Sequence, residues 1–370
     1  MSRINTRNSD TRKESPSKRN PLPVALGCRK SVGLVAIVAA LALPMGIFLW
    51  TLPGRTPKPG PKSSAAPGEG AQRPALLPGS EWLIRYADLD PDDESVRHRL
   101  VLEQVALGNM PDTWDDWVTV TVKGRRGTVV DFEVSPHGLR IGTNADWVEV
   151  PLDGPHSAAA AEILGYQLCT AWMVEQIYNQ ARKHGGMVHY FAAAEIADSL
   201  RLLDWKHDAP DGEMMKSPEF FQQRSTLLQD WLNEHAIEPD TLISGYFKTV
   251  VPPIDGLTRN GGLEMVGGHT EQGRKIQSLS GGFHPRSFFD YSHNIRLAKD
   301  SIRVQGRAMA LREFWSSVKY AVEFGFRRTI LPDRAYPYPP SLADWMERNG
   351  YLKYPLDAEA SKTKAGPTRG

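Results

Sequence analysis

Two cysteines in 370 residues exclude a disulfide framework. Cys28 and Cys169 lie far apart, and neither belongs to the close cysteine pair that a structural zinc site uses. The helical metalloprotease pattern H-E-x-x-H is missing too. Basic residues are not in excess, with 44 Lys and Arg against 43 Asp and Glu. Residues 1–79 hold 12 of the basic and 3 of the acidic residues, which leaves 32 and 40 for residues 80–370, a net of −8. Phosphate binding needs a basic surface, so no nucleic acid is expected as a partner.

Charge is wholly absent from residues 31–54. The apolar part of that run, Val32 to Leu52, has about the ~20 residues that a membrane-spanning helix needs. Eight basic residues and two acidic ones precede it. Short flanks rich in Lys and Arg stay in the cytoplasm, so the N-terminus is expected inside and the chain beyond residue 55 outside. The run ends Phe48-Leu49-Trp50-Thr51-Leu52-Pro53 with no small-x-small exit site, which favours an uncleaved anchor in the cytoplasmic membrane.

The expected organisation is a basic cytoplasmic N-terminus at 1–30 and a transmembrane helix at 31–52. A disordered Pro/Gly/Ser/Ala linker follows at 53–79, then an extracytoplasmic domain at 80–356 and a frayed tail at 357–370. At about 275 residues the exterior domain is large enough to bury its own core. Helical spacing or caps mark 94–107, 157–164, 171–182, 191–203, 218–235, 311–324 and 341–348. Strands are expected at 117–122, 128–134, 139–142 and 147–150 as one antiparallel meander. Further strands are expected at 246–251, 263–266, 275–279, 295–298 and 302–304, with Gln305-Gly306 as a hairpin turn. Helices and strands fall in separate blocks, so the fold class is α+β with antiparallel strands.

Three of the ten histidines, His269, His284 and His293, fall within 25 residues, with Asp290, Tyr291, Ser292 and Arg296 among them. This stretch offers a general base, a carboxylate to orient it, a hydroxyl nucleophile and a cation for a substrate carboxylate. Cys169 is a second nucleophile candidate, and Lys248 joins Tyr291 and Arg296 as a substrate-binding candidate. No metal and no cofactor are expected. Asp290 and His293 are three apart in a loop entering a strand, and two such residues share an ion only across a turn. The competing reading makes Asp290, Ser292 and His293 a turn held by side-chain-to-backbone bonds, with Arg296 in a salt bridge.

The segment resembles a group of secreted bacterial proteins of unassigned activity. The matching residues are Gly268-His269, Ile276-Gln277-Ser278-Leu279-Ser280, His284, Asp290-Tyr291-Ser292-His293, Ile295, Arg296 and Leu297. Asn294 stands where that group has glycine, and both residues tolerate a left-handed backbone. Ser292 to Leu297 also looks like the Ser-His-Gly-Cys-x-Arg motif of L,D-transpeptidases, but it lacks the cysteine and is one residue short. In order of parts the domain resembles papain-like cell-wall hydrolases. Cys169 opens a helix, Lys248–Val251 is a strand, and His269 or His284 follows. These observations lead to an expected cell-envelope hydrolase acting on peptidoglycan or an envelope peptide. The alternative is a non-catalytic envelope-binding or scaffolding domain.

Overall fold

The computed structural model describes residues 76–90, 93–200, 212–253, 262–279, 284–326, 336 and 338–352. The expected transmembrane helix, most of the linker and the tail lie outside them. Among the described residues no helix is long and apolar enough to cross a membrane.

The chain opens with helices α1 (Gly79–Ala87) and α2 (Glu94–Leu107), then strands β1 (Val118–Lys123), β2 (Val129–Val134), β3 (Arg140–Gly142) and β4 (Trp147–Glu149). Next come α3 (Gly154–Leu164), β5 (Gln167–Leu168), α4 (Ala171–Lys183), α5 (Ala193–Ser199) and α6 (Pro218–Glu234). The last part holds β6 (Lys248–Val250), β7 (Met265–His269), β8 (Lys275–Gln277), β9 (His293–Asn294), β10 (Leu297–Val304) and β11 (Arg307–Ala310). Helices α7 (Leu311–Ser316), α8 (Val318–Phe324) and α9 (Pro340–Arg348) close it. The class is α+β. One sheet runs β1-β2-β10-β11 with β5 also on β10, a second runs β8-β7-β6-β9, and β3-β4 is a separate hairpin.

Caps explain the helix boundaries. The Asp93 side chain accepts from Val96 N, and Gly108 ends α2 in the left-handed conformation. Thr170 caps α4 and Ser217 caps α6 in the same way, each through a side-chain bond to the third residue on. Helix α3 starts at Gly154, three residues before the expected Ser157, because Asp153 accepts from His156 N at 2.8 Å. The expected helix 311–324 is two helices. Ser317 is extended between them, and its hydroxyl caps α8 by accepting from Tyr320 N. A serine pair competes with the helical backbone for hydrogen bonds, and here it wins.

The strands correct two expectations. β3 and β4 pair with each other and do not continue the β1-β2 meander. The expected strands 295–298 and 302–304 are one strand, β10, bulged between Ala298 and Ile302 where it pairs with β2. Gln305 and Gly306 make its hairpin to β11 with φ of 51° and 76°, a type I′ pair. The fold also begins earlier than expected: Gly79 is buried, and Leu77 packs on the core.

Two apolar cores result. The first gathers Trp82 and Tyr86 of α1, Val101, Leu102 and Val105 of α2, the α3 alanines, and Phe220, Phe221 and Leu228 of α6. The second lies between the β1-β2-β10 sheet and α4 and α7, with Phe132, Ile302, Met173, Ile177, Phe314 and Trp315. Residues 289–298 run from one to the other: Phe289, Tyr291, Ile295 and Leu297 belong to the first, Ala298 to the second. The histidine segment is therefore anchored at both ends by burial.

Candidate functional site

Asp290 and Ser292 build the turn from which the site grows. Asp290 Oδ1 accepts from Ser292 N at 2.8 Å and from the Ser292 hydroxyl, while Asp290 O accepts from His293 N at 3.0 Å. The turn delivers His293 into β9, which lies parallel to β6 with Lys248 opposite His293. Lys248 N donates to Ser292 O at 2.8 Å and closes the junction.

His293 is fully buried, and its Nε2 lies 3.7 Å from Asp290 Oδ1. Neither ring nitrogen has a hydrogen-bond partner. Burial lowers its pKa to about 4, against the pull of Asp290 and with help from Lys248, His284 and Arg224. Burial works the other way on Asp290, but His293, Lys248 and the two Ser292 donors outweigh it and hold the carboxyl below its ordinary value. At neutral pH the imidazole is uncharged and the carboxylate ionised. Lys248 and His284 are only half-buried and stand beside them. The His284 ring stacks on Phe288 at 4.1 Å between centroids, and Phe288 meets His293 edge-on at 5.5 Å. Tyr291 joins through a 3.1 Å hydroxyl contact with Tyr190, whose ring lies 5.8 Å from Lys248 Nζ.

Four expected site residues have other work. His269 has its own set of neighbours. Gly267 and Gly268, with φ of 112° and 63°, break the regular alternation of β7 just before it. His269 stacks flat on Tyr178 of α4 with centroids 3.5 Å apart. Burial, then Lys275 and Arg182, lower its pKa to about 4 despite Glu175. The His269 ring contact is with Tyr178, whereas His284 and His293 meet through Phe288. Ser292 spends its hydroxyl on Asp290 and is 1% exposed, so it is no free nucleophile. Cys169 is fully buried in the second core, and burial pushes its thiol up to about 12 despite the nearby Arg296. It precedes the Thr170 cap, and the helix gives it no thiolate character.

Arg296, expected on a substrate, is 1% exposed. It donates to the carbonyls of Ser135 at 2.7 Å, Pro136 at 3.0 Å and Ile243 at 2.6 Å. It satisfies loop carbonyls that would otherwise be buried bare. The expected salt bridge is absent among the described residues. Asn294 also differs from expectation: its φ is not positive. Its side chain is what matters. Oδ1 accepts from Leu139 N at 3.0 Å, and Nδ2 donates to Glu149 Oε2 at 3.0 Å.

Glu149 is the hub that sequence reasoning missed. Its carboxylate accepts from Arg140 at 3.3 Å, Arg224 at 2.8 Å, the Tyr246 hydroxyl at 2.8 Å and Asn294. Arg224 also donates to Tyr291 O, which ties the hub to the turn. A lone Glu in the apolar run Trp147–Leu152 was the available signal. Beside the hub lies a cavity of about 330 Å³, lined by Thr113, His137, Arg140, Trp147, Asn233 and Ile243 among others. The cavity is not at the Asp290–His293 pair, and Arg296 bonds the carbonyl of one residue of its wall, Ile243. Among the described residues one group could hold a metal: His98, Asp153 and His156, packed against Phe289.

No family model matches the chain, and no curated protein or solved structure shows a significant match.

Proposed function

We propose that the chain is a membrane-anchored, extracytoplasmic hydrolase of a cell-envelope polymer or peptide, working through Lys248, His284, Asp290 and His293. One observation carries this reading. A neutral, unpartnered imidazole lies 3.7 Å from an ionised carboxylate, and a half-buried cation and a second imidazole adjoin them. Structural histidines usually have hydrogen-bond partners. His293 and Asp290 are both in proton-accepting form at neutral pH, as water activation requires. Lys248 is positioned to hold a substrate carboxylate or a developing oxyanion. His284 is the group to protonate the leaving amine or alcohol. Ser292 spends its hydroxyl on Asp290 and Cys169 lies in the second core, so water is the nucleophile, and Asp290, the more exposed member of the pair at 7%, takes its proton.

The test is release of soluble fragments from purified peptidoglycan and from envelope peptides by the full-length chain in detergent. Lys248→Met and His284→Gln alter half-buried groups and should keep the fold. Release by the wild type and its loss in both variants support the reading. A second reading, non-catalytic binding of an envelope ligand, draws on the cavity beside the hub, where Arg140 brings a cation within 3.7 Å of the Trp147 ring. Retention of the polymer without product, weakened by substitution of Asn233 in the cavity wall, would favour it.

A further inference from the structure

We infer that His98, Asp153 and His156 form a buried zinc site that staples α2 to the start of α3. The inference is independent of the proposed hydrolytic site. Asp153 is the cap of α3, and Asp153 Oδ1 accepts from both the His156 backbone N, at 2.8 Å, and the His156 Nδ1–H, at 2.7 Å. An ion shared by the two residues lies on this side of the ring: it replaces the Nδ1 proton, while the Asp153 bond to the His156 backbone N–H stays. His156 Nε2 is buried with no partner.

His98 faces it from α2. The two rings lie 4.7 Å apart between centroids, and Phe289 closes the far side of His98 at 4.4 Å. Both ring nitrogens of His98 are buried without a partner, and the residue is 1% exposed. Three orphaned nitrogens in one spot are costly, at about 1–3 kcal/mol for each unsatisfied group.

A divalent cation gives one of the two His98 nitrogens a partner. One ring nitrogen from each histidine and one Asp153 oxygen lie within 4.8 Å of one another. Ligand atoms on a tetrahedral zinc stand roughly 3.3 Å apart at bonds of ~2.0–2.1 Å, so small side-chain rotations close the set. Two imidazoles and a carboxylate are a common zinc donor set, with water in the fourth position. The local charge permits it. The neighbouring ammonium, Lys216, is paired with Glu94 at 2.6 Å and Glu213 at 3.5 Å. All three ligands are at most 5% exposed, so a metal held there is sealed from substrate and enters as the chain folds.

The test is metal analysis of the untagged full-length chain, purified in detergent without chelator. About one zinc per chain is expected, and cobalt substitution should give the visible bands of a tetrahedral site. Asp153→Asn keeps a good helix cap but removes the charged ligand, and His98→Leu removes a ligand while filling its apolar pocket. Both should lose at least nine-tenths of the metal while their circular dichroism remains native, and chelation should lower the wild-type Tm. Metal-free wild-type protein with no Tm shift on added zinc, together with a His98→Leu chain as stable as wild type, would overturn the inference. Those results would make the pair a plain core contact or a site bridged by water.

Discussion

Removing the charge at Glu149 should unfold the domain more readily than any exposed charge change. Glu149 is 1% exposed, and its two arginine partners are 4% and 1% exposed. Glu149→Gln keeps the shape but leaves two buried guanidinium groups without a counter-ion. It also turns one amide donor toward a donor. Breaking a buried pair from one side costs about 3–5 kcal/mol, because the partner charge remains buried. Arg140 keeps its stack on Trp147 and Arg224 its bond to Tyr291 O, so neither arginine is wholly abandoned. At about 2–4 °C per kcal/mol for a domain near this size, the Tm should fall by roughly 6–20 °C. The comparison is Glu133→Gln, which breaks a half-exposed 2.9 Å pair with Lys299 and should cost less than about 1 kcal/mol. Urea melts of residues 76–352 carrying each change are the assay. Equal losses for the two, or a Glu149→Gln loss under about 1 kcal/mol, would refute the hub.

Acid should weaken the fold partly through His293. Unfolded, it takes a proton near 6.5, whereas folded it stays neutral down to about 4. The unfolded state binds the extra proton in that window, so stability falls as pH drops from 6.5 to 4, on the order of 3 kcal/mol for this group. His293→Asn should flatten the slope by one proton's worth, and an unchanged slope would contradict the burial argument. Gly138→Ala should cost about 1–3 kcal/mol in urea melts, because its Cβ would sit 2.7 Å from Asn294 Cγ and overpack the hub. Unchanged stability there would mean that Asn294 moves freely. Cys169 should resist a thiol-reactive dye in the native domain and react only at the rate of unfolding. Rapid labelling would show that the second core opens.

Local chemistry was legible in the sequence, and long-range burial was not. The α2, α4 and α6 ends follow from Asp93, Thr170, Ser217 and Gly108, residues whose effect is complete within a few positions. Helix α1 was missed because it opens with Gly79-Ser80 after a Pro-rich stretch, although Trp82, Leu83 and Tyr86 carry helical spacing. The β3-β4 pairing was misread because three-residue strands contain too little pattern to fix a partner. Asp290 and His293 meet through a turn that their own spacing encodes. Arg296 looked like a substrate clamp because the carbonyls that claim it lie 53 to 161 residues away in sequence. For the same reason His98 and Asp153 gave no sign of each other, and only Asp153 and His156, three apart at a cap, were close enough to read.

The most direct test of the working site is mass spectrometry of envelope fragments digested by the full-length chain in heavy-oxygen water. Water attack assisted by the Asp290–His293 pair places one heavy oxygen in the acyl or glycosyl fragment of each cleaved bond and none in the leaving amine or alcohol. Lys248→Met and His284→Gln should yield none while melting like the wild type. No product from the wild type, or equal product from both variants, would contradict hydrolysis at this site.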